Sequence, residues 1–153
     1  TVGIDTSAWV TYGIIVDTEA LTPAVIRQLV AAFSLDVEPP DDGDDDDTQG
    51  SEHTRLWRSV LSRVMSGIGR RLWRRGLTVE WCGSDVDVRW VIGREAANAM
   101  GDGDGGGLAT TTPARIAAAM RLSKRQRATI EQLRRIIPGA SPPRLVLGVM
   151  RWQ

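Results

Sequence analysis

The chain has 153 residues, 42% of them apolar and 25% charged, with 19 basic and 19 acidic side chains and a formal net charge of zero. That is the length of one domain, and the composition excludes a disordered chain, a collagen-like chain and a membrane-spanning bundle. One Cys, Cys82, and one His, His53, are too few for a structural zinc site or an intramolecular disulfide.

The zero total conceals segregated charge. Residues 1–52 hold 12 acids and one base, and residues 53–75 hold seven arginines and no acid. Residues 76–112 hold six acids and two bases, and residues 113–153 hold nine bases and one acid. Such blocks either neutralise one another in the fold or face partners of opposite sign. Of the 19 bases 18 are arginine, a usage typical of GC-rich genomes. No run approaches the ~20 apolar residues of a membrane span. No basic-then-apolar leader pattern is present either, so the expected location is the cytoplasm of the host cell.

In chain order, Trp9 to Val16 predicts a strand, with Tyr12, Ile14 and Val16 alternating against Thr11, Gly13 and Ile15. Thr22-Pro23 is an N-cap followed by the favoured first helical position, and Val25, Ile26, Leu29, Val30 and Phe33 follow at helical spacing. Residues 36–52 break the pattern with Pro39, Pro40 and the run Asp41, Asp42, Asp44, Asp45, Asp46 and Asp47. Self-repelling charge of that density predicts a mobile insertion, not a domain boundary.

Residues 54–75 predict the strongest helix. Trp57, Val60, Leu61, Val64, Ile68 and Leu72 form one stripe, arginines fill much of the rest, and Gly76 supplies a stop. His53 lies between the acidic run and this basic helix, a poor setting for a catalytic triad. Residues 77–92 predict a hairpin: Leu77, Val79 and Trp81 alternate before the turn, and Val86, Val88, Trp90 and Ile92 after it. Residues 101–107, all Gly and Asp, predict a flexible loop. Thr112-Pro113 repeats the cap signal for a short helix to about Leu122, and Ser123 caps another to about Ile137. Leu145, Leu147 and Val149 mark a closing strand.

This order predicts a single α+β domain over residues 1–153. The plan is the ferredoxin-like split βαβ with doubled helical connections: a four-stranded antiparallel sheet with helices on one face. The opposite face is expected to be open or to pair with a second chain, which leaves a homodimer open. Of six Trp, most are expected in the core, and an exposed one would mark an interface.

Three fragments point toward chemistry. Val2-Gly3-Ile4-Asp5-Thr6-Ser7 followed by Tyr12-Gly13-Ile14-Ile15-Val16 resembles the opening of RNase H-like Holliday-junction resolvases. That resemblance implies Asp5 as a Mg²⁺ ligand, with Glu80 as a second, for two-metal phosphodiester hydrolysis. The chain departs from the family where Pro23 starts a helix too early, and where Glu131 is the only acid after Asp104. Gly83-Ser84-Asp85-Val86-Asp87 is similar to the metal-binding motif of minimal nucleotidyltransferases, which implies Asp85 and Asp87 as ligands on one strand face. It lacks that family's upstream Gly-Ser turn at a helix start. Residues 115–137 are loosely similar to a helix-turn-helix, with Arg121, Lys124, Arg125, Arg127, Arg134 and Arg135 as phosphate contacts. There Arg121 occupies the turn position usually held by Gly, and Arg127 an apolar one.

A fourth likeness covers more of the chain. Trp9-Val10-Thr11-Tyr12-Gly13-Ile14-Ile15-Val16, a helix, a hairpin and a closing strand resemble small uncharacterised proteins of tailed phages of GC-rich hosts. The reading preferred from sequence is a non-enzymatic phage-type binding protein without a cofactor, which docks on a host or phage protein and modulates it. Its contact residues are Asp41, Asp42 and Asp44 to Asp47 on the acidic loop, and Arg63, Arg70, Arg71 and Arg74 on the basic helix. The first alternative is a Mg²⁺-dependent enzyme on nucleic acid using Asp5, Glu80, Asp85 and Asp87. The second is a minor virion component. Weak nucleic-acid contact through the Arg-rich helices is a further expectation, and no membrane contact is expected.

Overall fold

The computed structural model describes the backbone of residues 5–38, 51–83, 88–101 and 110–152. Strand β1 (Asp5–Asp17) leads through a 3₁₀ turn into helix α1 (Pro23–Phe33), then helix α2 (Ser51–Trp73). Strands β2 (Thr78–Gly83) and β3 (Val88–Gly101) form the hairpin, followed by helices α3 (Pro113–Met120) and α4 (Lys124–Ile136) and strand β4 (Arg144–Trp152). The sheet order is β2-β3-β1-β4 and every neighbouring pair is antiparallel. This is the strand order of the split βαβ plan, with two helices in each crossover. The acidic residues 41–47 and most of the 101–107 loop lie outside the described residues.

Caps set the helices where the sequence places them. Thr22 Oγ1 accepts a hydrogen bond from Val25 N at 3.4 Å, and Thr112 Oγ1 accepts one from Arg115 N at 3.2 Å, each with Pro at the next position. Ser123 and Gln126 form a reciprocal capping box at the start of α4. α1 ends with Ser34 in the left-handed region, φ 50°, where the Arg71 guanidinium donates to the Ser34 carbonyl at 3.0 Å. Gly76, φ 74°, closes the turn after α2, and Leu77 N returns to Leu72 O at 3.0 Å.

One face of the sheet packs on the helices. Ile14 and Val16 of β1 and Ile92 of β3 join Ile26, Leu29 and Phe33 of α1, Val64, Met65, Ile68 and Leu72 of α2, and Ile130 and Leu133 of α4. Val79 and Trp90 pack against this cluster from the edge. α3 lies along β3 and β1 with Ala119 buried.

The strands are longer than hydrophobic alternation suggests. β1 begins at Asp5, not near Trp9, and β3 runs nine residues beyond Ile92 to Gly101. Those added segments are paired with each other, Thr6 opposite Gly101 and Val10 opposite Ala97, so backbone ladder bonds support them where side-chain pattern does not. The register steps between Val10 and Thr11, leaving Ala96 as an extra residue on β3. A bulge of that kind sharpens local twist.

The opposite face is only in part the open surface expected from the sequence. Trp9, Thr11 and Val91 lie there with relative exposures of 3%, 0% and 1%. The cause is curvature. Gly13 and Gly93 stand directly opposite each other, and a Cβ on either would run into the other strand's backbone. With no side chains to hold them apart, β1 and β3 crease toward this face, and the outermost strands β2 and β4 come into contact. At Gly148 a Cβ would overlap the Trp9 indole, which lies across that position. The second face is thus the lined inside of a curl.

Candidate functional site

The sequence-derived contact residues that fall on described side chains sit on α2, with Arg74 in the turn directly after it. Arg63, Arg70 and Arg74 are exposed and follow one another at spacings of seven and four, which on a helix is a single stripe. Trp73 lies beside that stripe with 72% of its surface exposed, the most exposed large apolar side chain among the described residues. A helix facing solvent has no folding reason to place a Trp there; the core stripe of the same helix is complete without it, as Leu61, Val64, Met65, Ile68 and Leu72 are all buried. Arg71 belongs to the fold, through its hydrogen bond to the Ser34 carbonyl. Beside the stripe is a groove of about 300 Å³, floored by Leu35, Val37 and Gly67 and rimmed by Arg70, Arg71, Arg74 and Asp36. Asp41, Asp42 and Asp44 to Asp47 lie outside the described residues.

Of the carboxylates of the enzymatic alternative, Asp5 and Glu80 are not brought together. Asp5 begins β1 opposite Trp152, in strand and not in an arm or turn, and its side chain lies outside the description. Glu80 pairs with Val91, which pairs with Ile15. Asp5 and Glu80 are therefore ten residues apart along β1, roughly 30 Å at the rise of a strand. At that separation Asp5 and Glu80 do not ligate one pair of ions, which would sit only ~4 Å apart. Asp85 and Asp87 lie outside the described residues, and among the described ones no group of three or more His, Cys, Asp or Glu side chains is placed to hold an ion.

Glu80 has a different neighbour, which sequence reasoning missed. On β3 the residues Val91, Gly93 and Glu95 share the inner face with Glu80. Because Gly93 carries no side chain, the Glu80 and Glu95 carboxyls meet across it and share a hydrogen bond. Partial burial pushes the Glu80 pKa up, and the Glu95 charge and that hydrogen bond push it further the same way. Asn98 Nδ2 donates to Glu95 Oε2 at 3.3 Å, and Thr11 stands directly opposite Glu95 with its Oγ1 buried and unpartnered. No sequence signal reveals this pair, since the register, the bulge and a side-chain-free rung create it.

The α3–α4 segment is arranged as a packed pair. Arg121 closes α3 and its carbonyl accepts from Arg94 Nη1 at 3.2 Å, Arg134 pairs with Glu131 at 3.2 Å, and Gln126 is buried where its amide donates to Arg75 O at 3.0 Å. Lys124, Arg125, Arg127 and Arg135 are exposed. Among the described residues no helix is long and apolar enough to cross a membrane.

No protein-family model, no curated protein and no solved structure matches this chain.

Proposed function

We propose that the protein is a non-enzymatic binding module that docks on a host or phage protein through the Arg63–Arg70–Arg74 stripe of α2 and modulates that partner. The observation that carries this reading is Trp73, 72% exposed beside three solvent-facing guanidinium groups. Trp and Arg are the residue types that dominate binding energy at protein interfaces, and Trp exposed without a folding role costs solubility. The groove floored by Leu35 and Val37 beside Arg70 and Arg74 suits an acidic segment carrying an apolar side chain. An acidic protein surface is the partner this chemistry selects.

A photo-crosslinking residue in place of Trp73 tests it, with a second at the exposed Arg135 of α4 as control. The reading expects protein adducts from position 73 that are reduced by high salt, and few from position 135. Adducts to nucleic acid alone, or equal adducts from both positions, contradict it.

A further inference from the structure

Strand β4 is an edge of the sheet, and it pairs only with β1. β2, at the other edge, ends on the rung where Thr78 faces Gly93, Gly93 faces Gly13 and Gly13 faces Arg144. Beyond Arg144, among the described residues, no strand runs outside β4. Leu145, Leu147 and Val149 stand opposite Tyr12, Val10 and Ala8, on the face that carries Ile14 and Val16 of the core. They are nonetheless 45%, 71% and 57% exposed. The same three residues carry the free backbone groups. Ile15 N donates to Ser141 Oγ at 2.8 Å and Ile15 O accepts from Ser141 N at 3.1 Å, so the main chain of Ile15 faces the β4 side. That direction alternates along an antiparallel strand. Gly13, Thr11 and Trp9 therefore bond Arg144, Val146 and Gly148, and the N–H and C=O groups of Leu145, Leu147 and Val149 point outward. Monomeric proteins blunt such an edge with Lys, Pro or a bulge. Between Arg144 and Arg151, β4 has no charged residue, no Pro and no break in register.

We propose that β4 pairs antiparallel with β4 of a second copy of this chain, about a two-fold axis at Leu147, joining the two sheets into one. The stripe is its own complement, as a two-fold interface requires: Leu147 faces Leu147, and Leu145 faces Val149 in both directions. All three rungs join outward-pointing backbone groups, and their side chains share one face as an apolar band. Arg144 falls opposite position 150 and Arg151 opposite Pro143, so no arginine faces its copy. Moving the axis by one residue sets Val149 against Pro143 or Leu145 against Arg151, which fixes the register. The three side chains expose roughly 300 Å² of apolar surface per copy, the size at which a patch signals a contact. Pairing removes ~600 Å² in all, about half of the ~1,200 Å² at which stable interfaces begin. The strand edges and flanking side chains supply the rest, so the dimer is reversible and depends on concentration. α2 packs against β2, the other edge strand, so this pairing stands whether or not the α2 stripe docks a partner.

Sedimentation equilibrium of the full chain over a hundredfold range of concentration is the test. The wild type should pass from monomer to dimer and go no further. Leu147→Lys should weaken the dimer by tenfold or more without lowering the melting temperature, because the side chain it replaces is 71% exposed. Trp73→Ala should leave the dimer unchanged. The register is read by oxidation in a Cys82→Ser background. Leu147→Cys should form a covalent dimer, since facing residues of such a pair sit ~5.5 Å apart at Cα, within disulfide reach. Leu145→Cys alone should not, lying about 14 Å from its copy along the strand, whereas Leu145→Cys and Val149→Cys chains mixed together should cross-link to each other. A chain that stays monomeric throughout the range leaves the edge to a strand of another protein and overturns the proposal. So does a dimer that survives Leu147→Lys, one that Trp73→Ala dissolves, or equal cross-linking at positions 145 and 147.

Discussion

Glu80 is pressed against Glu95 by folding, and its proton is held more tightly in the folded chain than in the unfolded one. The folded state therefore binds more protons at pH values between the ordinary carboxyl value near 4.5 and the raised one. Stability from this source is fully present below about 4.5 and is lost as pH rises through the raised value. Glu80→Gln should remove that loss. Urea midpoints at pH 4.5 and pH 7.5 should differ less for the variant than for the wild type, and the variant should be the more stable at pH 7.5. Equal pH dependence of the two chains would contradict the carboxyl pair. At Gly93 the constraint is steric. A methyl group there meets the Tyr12 carbonyl and the Gly13 backbone, which cannot swing away as a flexible side chain can. Gly93→Ala should cost about 3 kcal/mol or more in chemical denaturation, where overpacking of side chains alone costs less. Neither residue announces its role in the sequence: Glu80 reads as one more acid in an alternating strand, and Gly93 as the point where the alternation stops.

The helices were legible because their ends are written in local chemistry. Thr22-Pro23, Thr112-Pro113 and Ser123 each sit where the sequence places them, and each accepts the expected backbone hydrogen bond. Gln126 does more than its capping box implies. Besides accepting from Ser123 N at 2.9 Å, its amide donates to Arg75 O, tying the start of α4 to the end of α2. Ser123→Ala should then cost about 1 kcal/mol, the worth of a cap, and Gln126→Ala should cost more, since it also strands a carbonyl of the α2–β2 turn. A smaller loss for Gln126→Ala than for Ser123→Ala in thermal unfolding would show that the second bond contributes nothing. The strands were only half legible. Ile14, Val16 and Ile92 alternate as a core face should, but Arg94 to Gly101 carries no alternation, because an inserted Ala96 resets which side chains point inward. A backbone ladder leaves no trace in side-chain pattern.

For the whole molecule, the segregated charge has one resolved consequence. The arginine block of α2 is divided between the fold, through Arg71 on Ser34 and Arg75 on Thr129, and a solvent-facing stripe of Arg63, Arg70 and Arg74. The split βαβ order was readable from the sequence of elements. The curl of the sheet was not, because it depends on Gly13 of β1 falling opposite Gly93 of β3 and on Gly148 of β4 falling opposite Trp9. That curl buries Trp9, Thr11 and Val91 on the face expected to be free, while Trp73 beside the α2 arginines stays exposed. Trp73→Ala should leave the melting temperature within about 1–2 °C of the wild type, as an exposed side chain outside the core contributes little. A loss comparable to that of a buried Trp would place Trp73 in the fold and not at an interface.

The most direct test compares affinity capture by the wild type and by the triple variant Arg63→Glu, Arg70→Glu, Arg74→Glu, from nuclease-treated lysate of a GC-rich bacterial host, with the captured proteins quantified. Docking through the α2 stripe predicts a specific protein that survives nuclease with the wild type and falls at least tenfold with the variant, while both chains melt at similar temperatures. Equal recovery of the same protein by both chains, or capture that vanishes with nuclease, would contradict it.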